Sequence, residues 1–232
     1  MSFVFPPRAL PELPVAGHPD VYAVARIFCV GRNYAAHAAE MGGEVDREAP
    51  WYFTKSAFAL AQSGQTLPYP PGTANYHHEV ELVIAVGAPV FQADEAAAET
   101  AIYGYACGLD MTRRDRQQDG KDHRRPWDLG KDVENGAVIG AITPASDFSG
   151  PRGQRIQLSI GDALRQDAVL DDMVWSCAEI ISHLSRYYHL QPGDLIMTGT
   201  PAGVGPVQPG DLLTGQIDGL QPVTLTIGAP QA

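Results

Sequence analysis

The string His77-His78-Glu79-Val80-Glu81-Leu82-Val83-Ile84 sets two carboxylates into an otherwise apolar run. Extended chain sends alternate side chains to opposite faces, so Glu79 and Glu81 share one face while Val80, Leu82 and Ile84 point into a core. Like charges side by side repel, and burial raises that cost. A fold that takes in this strand must therefore neutralise the pair, with a divalent cation or with a nearby Arg or Lys. A third carboxylate, Asp110, ends the apolar stretch that starts at Tyr103. Three oxygen ligands without a thiolate suit a hard ion, Mg²⁺ or Mn²⁺, with waters completing its shell. The zinc-protease motif is absent, because Leu82 stands where its second histidine belongs.

Around that strand the chain is rich in turns. Its 24 glycines and 19 prolines, set against only 19% charged residues, point to many short strands and few helices. Residues 1–22 carry five prolines and read as an irregular arm, and residues 23–232 read as a single catalytic domain. Ala23 to Val30 is a buried first strand. Asn33 offers an N-cap for a short helix, Tyr34 to Met41, which Gly42-Gly43 stops. Val80 to Val86 is a strand, and Ala93 to Ala106 holds a helix that runs into a buried stretch ending at Asp110. Arg113 to Asn135 is highly charged with little apolar periodicity and reads as a long loop. Apolar spacing at Val174, Cys177, Ile181, Leu184 and Tyr188 makes Val174 to Leu190 the longest helix. Pro192-Gly193-Asp194-Leu195 and Pro209-Gly210-Asp211-Leu212 are each a turn that feeds a strand.

The formal charge of −11 disfavours nucleic acid and anionic membrane surfaces, so an anionic ligand needs a local cationic pocket or a bound metal. The opening residues lack the basic-then-apolar order of a secretion signal, and no apolar run approaches the roughly 20 residues of a membrane-spanning helix. Cys29, Cys107 and Cys177 are scattered and sit in apolar stretches, which suits core packing in a reducing compartment. The expectation is a cytoplasmic protein without membrane or nucleic-acid partners.

His37 and Glu40 lie three residues apart on the short helix, hence on one face. Such a pair is either a general base, with the carboxylate orienting the imidazole, or an ordinary surface contact. Lys55 follows Trp51-Tyr52-Phe53, and Lys131 follows Trp127-Asp128-Leu129-Gly130. A lysine beside aromatic residues can pair with a carboxylate, bind a substrate carboxylate or stabilise an oxyanion. Arg32 and Arg114 are further candidates for carboxylate contacts. Gly199 to Gly205 lacks the Gly-Lys-Ser/Thr of a phosphate loop.

Four strings taken together, CVGRNYAAHAAEMG (29–42), HHEVEL (77–82), YACGLDMTRRDRQ (105–117) and PGDLIMTGTPAGVG (192–205), resemble the fumarylacetoacetate hydrolase family, and within it the small acylpyruvate hydrolases. The resemblance implies a β-rich α+β fold, a mixed β-roll with a few short helices, assembled as a homodimer. It implies Mg²⁺ or Mn²⁺ on Glu79, Glu81 and Asp110, with His37, Glu40 and Lys131 as catalytic residues. Arg32, Lys55, Arg114, Gln117, Gly199 and Thr200 would face the substrate, a small 2-keto acid. The implied reaction is hydrolytic C–C cleavage of an acylpyruvate, with fumarylpyruvate as the first choice. The same platform supports oxaloacetate decarboxylation and isomerase/decarboxylase chemistry on 2-hydroxyhepta-2,4-diene-1,7-dioate. A rival of another class is a non-catalytic binder of 2-keto diacids.

Overall fold

In the computed structural model, which describes residues 2–231, the Val80–Val86 strand lies inside an eight-stranded mixed sheet. The strands run in the order 51–55, 26–31, 194–197, 80–86, 102–110, 137–139 and 60–62, and 143–144 pairs onto 102–110. All seven residues of Val80–Val86 are buried. Its two faces serve two different cores. Val80, Leu82, Ile84 and Val86 pack into the larger core, with Ile156, Leu158 and Leu225 of a five-stranded sheet. Val83 and Ala85 face a smaller core with Ile27, Cys29, Leu195 and Met197. Glu81 shares the parity of Val83 and Ala85, so the carboxylates continue the face of the smaller core, as alternation requires. All three cysteines are buried and unpaired.

Among the described residues five short α-helices cover this scaffold: α1 Ala35–Glu40, α2 Glu95–Thr100, α3 Arg114–His123, α4 Asp128–Lys131 and α5 Cys177–Leu184. The strand-rich α+β roll with few helices matches the expectation. No helix among the described residues is long and apolar enough to cross a membrane.

Four local expectations need correction. The proline-rich opening is partly regular, since Glu12–Pro14 and Val21–Ala23 form an antiparallel pair and Leu13 belongs to the smaller core. The segment expected as a loop over Arg113 to Asn135 contains α3 and α4. Apolar periodicity missed α3 because its buried face is polar: Arg114, Gln117 and Gly120 recur at helical spacing. The helix expected over Val174 to Leu190 is only α5, opened by a Ser176–Glu179 capping box. Residues 174 and 175 stay outside it because their N–H groups donate to the Asn33 carbonyl and to Asn33 Oδ1, both within 2.8 Å.

The last correction explains that one. Asn33 caps no helix; Tyr34 is the N-cap of α1, without a side-chain bond. The Asn33 amide instead donates to Thr198 O at 2.9 Å and Trp175 O at 3.0 Å, fully buried. It splices three distant stretches of backbone. Gly42, at φ +72°, does close α1 as its composition suggested.

Asn33→Ala leaves buried backbone groups unsatisfied, and urea unfolding should register a loss of roughly 2–4 kcal/mol. Asn33→Asp discriminates the two roles. A helix cap tolerates aspartate, whereas this splice needs two N–H donors, so Asp should cost at least as much as Ala.

Candidate active site

Antiparallel pairing of Val80 with Leu109 places Asp110 beside Glu79, and Asp110 N–H donates to Glu79 O at 2.9 Å. One carboxylate oxygen from each of Glu79, Glu81 and Asp110 can be chosen so that all lie within 4.8 Å of one another. Gly108 opposes Glu81 and adds no side chain next to it. All three carboxylates are buried.

Cations neutralise two of the three. Lys131 Nζ lies 2.6 Å from Asp110 Oδ2 and 2.8 Å from Glu79 Oε2, with Thr112 Oγ1 at 2.8 Å as its third acceptor. Arg114 Nη2 pairs with Glu79 Oε1. Lys55 Nζ lies 2.8 Å from Asp110 Oδ1. Burial works to raise the Glu79 pKa, but Lys131 and Arg114 override it and hold the carboxylate well below its ordinary range. Burial also disfavours the Lys131 ammonium, yet Asp110 and Glu79 keep it charged and push its pKa up.

Glu81 has no such partner. Its Oε2 accepts one hydrogen bond, from Gly199 N–H at 2.8 Å. Burial first, then the charges of Asp110 and Glu79, push its pKa far up. Asp110 Oδ1 receives no directed hydrogen bond, and Lys55 donates to the carbonyls of Met111 and Lys131. Glu81 is therefore the one carboxylate of the three with no cation against it, and Asp110 Oδ1 has a lone pair to spare. That donor set, all oxygen and all buried, fits a hard divalent cation.

The His37–Glu40 pair faces the same cleft. His37 Nδ1 lies 3.3 Å from Glu40 Oε2, and Gly203 N–H donates to both Glu40 oxygens at 3.1 and 3.2 Å. His37 is buried, and burial lowers its pKa although the Glu79 and Glu40 charges oppose this. A neutral imidazole with Nδ1–H on Glu40 has a basic Nε2 to offer. Of the pair, His37 is buried and faces the cleft, while Glu40 is partly exposed to solvent.

The carboxylates and His37 open onto one cleft that is partly continuous with solvent. His37, Arg32, Arg114, Gln117, Lys131 and Thr200 line it together with the acidic trio. Gln117 Oε1 accepts from Arg114 Nη1 at 2.6 Å, which leaves its NH₂ group for another acceptor. Thr200 Oγ1 accepts from Gln166 Nε2 at 2.7 Å and keeps its own proton to donate.

Two expected substrate contacts are placed elsewhere. The Lys55 side chain is 0% exposed and stands behind Asp110. Gly199 spends its N–H on Glu81. Both support metal-site carboxylates. Sequence reading also missed one wall of the cleft: Met41, Trp51, Phe53, Lys121 and Trp127. Trp51 approaches the backbone so closely that a Cβ on Gly31 would lie 2.4 Å from its ring. The Trp51-Tyr52-Phe53 alternation could have flagged Trp51 and Phe53 as sharing a face.

Burial and the neighbouring carboxylates raise the Glu81 pKa, so below that raised pKa cation binding must displace a proton from it. Apparent Mn²⁺ affinity should accordingly rise about tenfold per pH unit until the raised Glu81 pKa is passed. Calorimetry in buffers of different ionisation enthalpy reads the proton release directly. Glu81→Gln should abolish that slope and weaken binding, while the metal-free protein loses no thermal stability, because a neutral amide replaces a buried carboxyl that has no cationic partner.

Comparison with known proteins agrees with this geometry. The family profile described as Fumarylacetoacetate (FAA) hydrolase C-terminal matches residues 26–228. A fumarylpyruvate hydrolase from Ralstonia sp is 50% identical over 190 residues, covering 81% of this chain and 98% of that protein. An oxaloacetate tautomerase from Escherichia coli (strain K12) is 40% identical over 199 residues, covering 85% and 90%. The crystal structure of fumarylpyruvate hydrolase from Pseudomonas aeruginosa in complex with Mn²⁺ and pyruvate superposes with a TM-score of 0.94 at 44% identity, covering 98% of this chain and 100% of that one. The chain belongs to the fumarylacetoacetate hydrolase family.

Proposed function

We propose that this protein is a divalent-metal-dependent hydrolase that cleaves the C–C bond of an acylpyruvate, with fumarylpyruvate giving fumarate and pyruvate. The observation that carries the reading is a buried, neutral His37, oriented by Glu40, in the same cleft as Glu79, Glu81 and Asp110. Similarity to the Ralstonia and Pseudomonas fumarylpyruvate hydrolases supports the choice of acyl group.

Bound Mg²⁺ or Mn²⁺ supplies Lewis acidity for the carboxylate and 2-keto oxygens of the pyruvyl end. Glu79, Glu81 and Asp110 hold it there. His37 Nε2 takes a proton from water, and the hydroxide adds to the distal acyl carbonyl. The Gln117 NH₂ group donates to the oxygen that becomes negative, and Lys131 contributes its charge and can exchange its neutral acceptor, Thr112, for substrate. The bond between the acyl carbon and the pyruvyl methylene then breaks, its electron pair remaining on the pyruvyl side. His37 returns the proton to that methylene carbon, which releases pyruvate, the free acid and a neutral imidazole. In this reading Thr200 Oγ–H, which accepts from Gln166 Nε2, donates to the substrate carboxylate.

Residues 23–232 constitute the catalytic domain in this reading, with 1–22 as its arm. The protein acts in the cytoplasm as a homodimer. Exposed Phe3, Val4 and Phe5 on the arm give such pairing apolar surface to bury. Three unpaired cysteines suit the reducing compartment.

His37→Ala should retain Mn²⁺ affinity and lose fumarylpyruvate hydrolysis by about a hundredfold or more, as expected when a general base is removed. Oxaloacetate decarboxylation needs no activated water and should fall much less. Equal losses in the two assays would remove the water-activating role of His37.

A further inference from the structure

The metal and the dyad account for the pyruvyl end and the scissile bond of an acylpyruvate; they leave the far end of the acyl group without a partner. The missed wall of the cleft leads to one. Lys131 Nζ sits 4.9 Å from the centroid of the Phe53 ring. Phe53 and Trp51 are 6.3 Å apart, and Trp51 meets Trp127 edge-on at 4.8 Å. At the end of this row Lys121 Nζ lies over Trp127, 5.2 Å from its centroid. An aromatic wall thus runs between two ammonium groups, one in contact with the metal-site carboxylates and one in ion-pair contact with none.

The two ammoniums differ in how they are satisfied. Lys131 is surrounded by carboxylates. Lys121 has no ion-pair partner among the described residues, and neither has Arg32, the other cation of the cleft mouth. Burial, and then the charges of Arg114 and Arg32, lower the Lys121 pKa, so its surroundings favour an added anion. Arg32 is held at φ +56°, a left-handed conformation uncommon outside glycine, and its guanidinium lies against Gly43, where a Cβ would come within 2.9 Å. In a chain of net charge −11, cations left unpaired in a cleft are anion sites.

We propose that Lys121, assisted by Arg32, forms a subsite for the distal carboxylate of the acyl group, which selects 2-keto diacids over 2-keto monoacids. This rests on the acylpyruvate reading above. A flat, unsaturated acyl segment lies along Trp127 and Trp51, with one carboxylate at the metal end and the other at Lys121. Lys121 is a specificity residue and takes no part in bond breaking.

The test compares two non-hydrolysable ligands that differ only at the distal end, 2-oxoheptanedioate and 2-oxoheptanoate, titrated calorimetrically into the Mn²⁺-loaded full-length protein. The wild type should prefer the diacid by about tenfold or more, the scale of one charge-assisted hydrogen bond. Lys121→Gln should erase that preference by weakening the diacid alone, and Lys121→Arg should restore most of it. Unchanged monoacid affinity certifies that the variant cleft is intact. Equal affinities in the wild type, or a parallel loss for both ligands in Lys121→Gln, would overturn the subsite. Fumarylpyruvate hydrolysis by the wild type, assayed alongside, separates the two ideas. Charge-selective binding without hydrolysis would remove the reaction and keep the subsite. Hydrolysis with unselective binding would do the reverse.

Discussion

One ammonium group, that of Lys131, holds Glu79 and Asp110 together, and three parts of the chain are positioned around that contact. It fixes α4 against the strand ends at 79 and 110, and α4 carries Trp127 at its N-cap. Lys55 and Arg114 add further cations against the same two carboxylates, which brings in the 51–55 strand and α3. Buried ion pairs are weak sources of stability, because desolvation offsets most of the attraction. Removing one partner is a different matter, since it strands a charge at a cost of about 3–5 kcal/mol. The cluster is therefore better understood as a frame for Glu81 than as a stabilising device. The frame neutralises every carboxylate except the one a metal must neutralise.

The acidic trio was legible in the sequence for a physical reason. Strand periodicity is rigid, so two carboxylates two residues apart must share a face whatever surrounds them. Asp110 could be read as the end of an apolar run, although only the register of 80 against 109 places it beside Glu79. The dyad was legible in its spacing and ambiguous in its exposure, because burial of His37 depends on what covers α1. Other features were hidden. The buried face of α3 is made of Arg114, Gln117 and Gly120, and a polar face against a polar cleft leaves no apolar signal. Asn33 is chemically a good cap, and its use as a splice depends on residues 175 and 198, more than 140 positions away. Lys55 carries no local mark that separates a support for Asp110 from a substrate contact.

The relatives include both hydrolases and oxaloacetate tautomerases. A metal platform for a 2-keto acid serves both chemistries, since each passes charge onto the pyruvyl oxygens. What differs is what the cleft offers beyond that platform. Here it offers a buried imidazole held by Glu40, which a backbone amide of residue 203 fixes in turn, and an aromatic wall beside it. If Lys121 reads the distal carboxylate as proposed, specificity in such a cleft is set at its far end by charge recognition. The bond-breaking groups can stay constant while that end changes.

The position of the Asp194–Met197 strand has a consequence for how the protein is made. It lies between Arg26–Gly31 and Val80–Val86, and Arg26 and Asp194 join partners 168 residues apart. Contacts so distant in sequence form late, because loop closure must precede any gain from pairing. During synthesis, the hairpin of Val80–Val86 with Ile102–Asp110 can assemble as soon as it leaves the ribosome, together with Lys131. Its other edge stays open until residue 197 emerges, and open apolar edges invite wrong partners. An unfinished chain thus carries the carboxylates without the Gly199 amide that holds Glu81 or the Gly203 amide that holds Glu40. Only a finished chain can close its cleft.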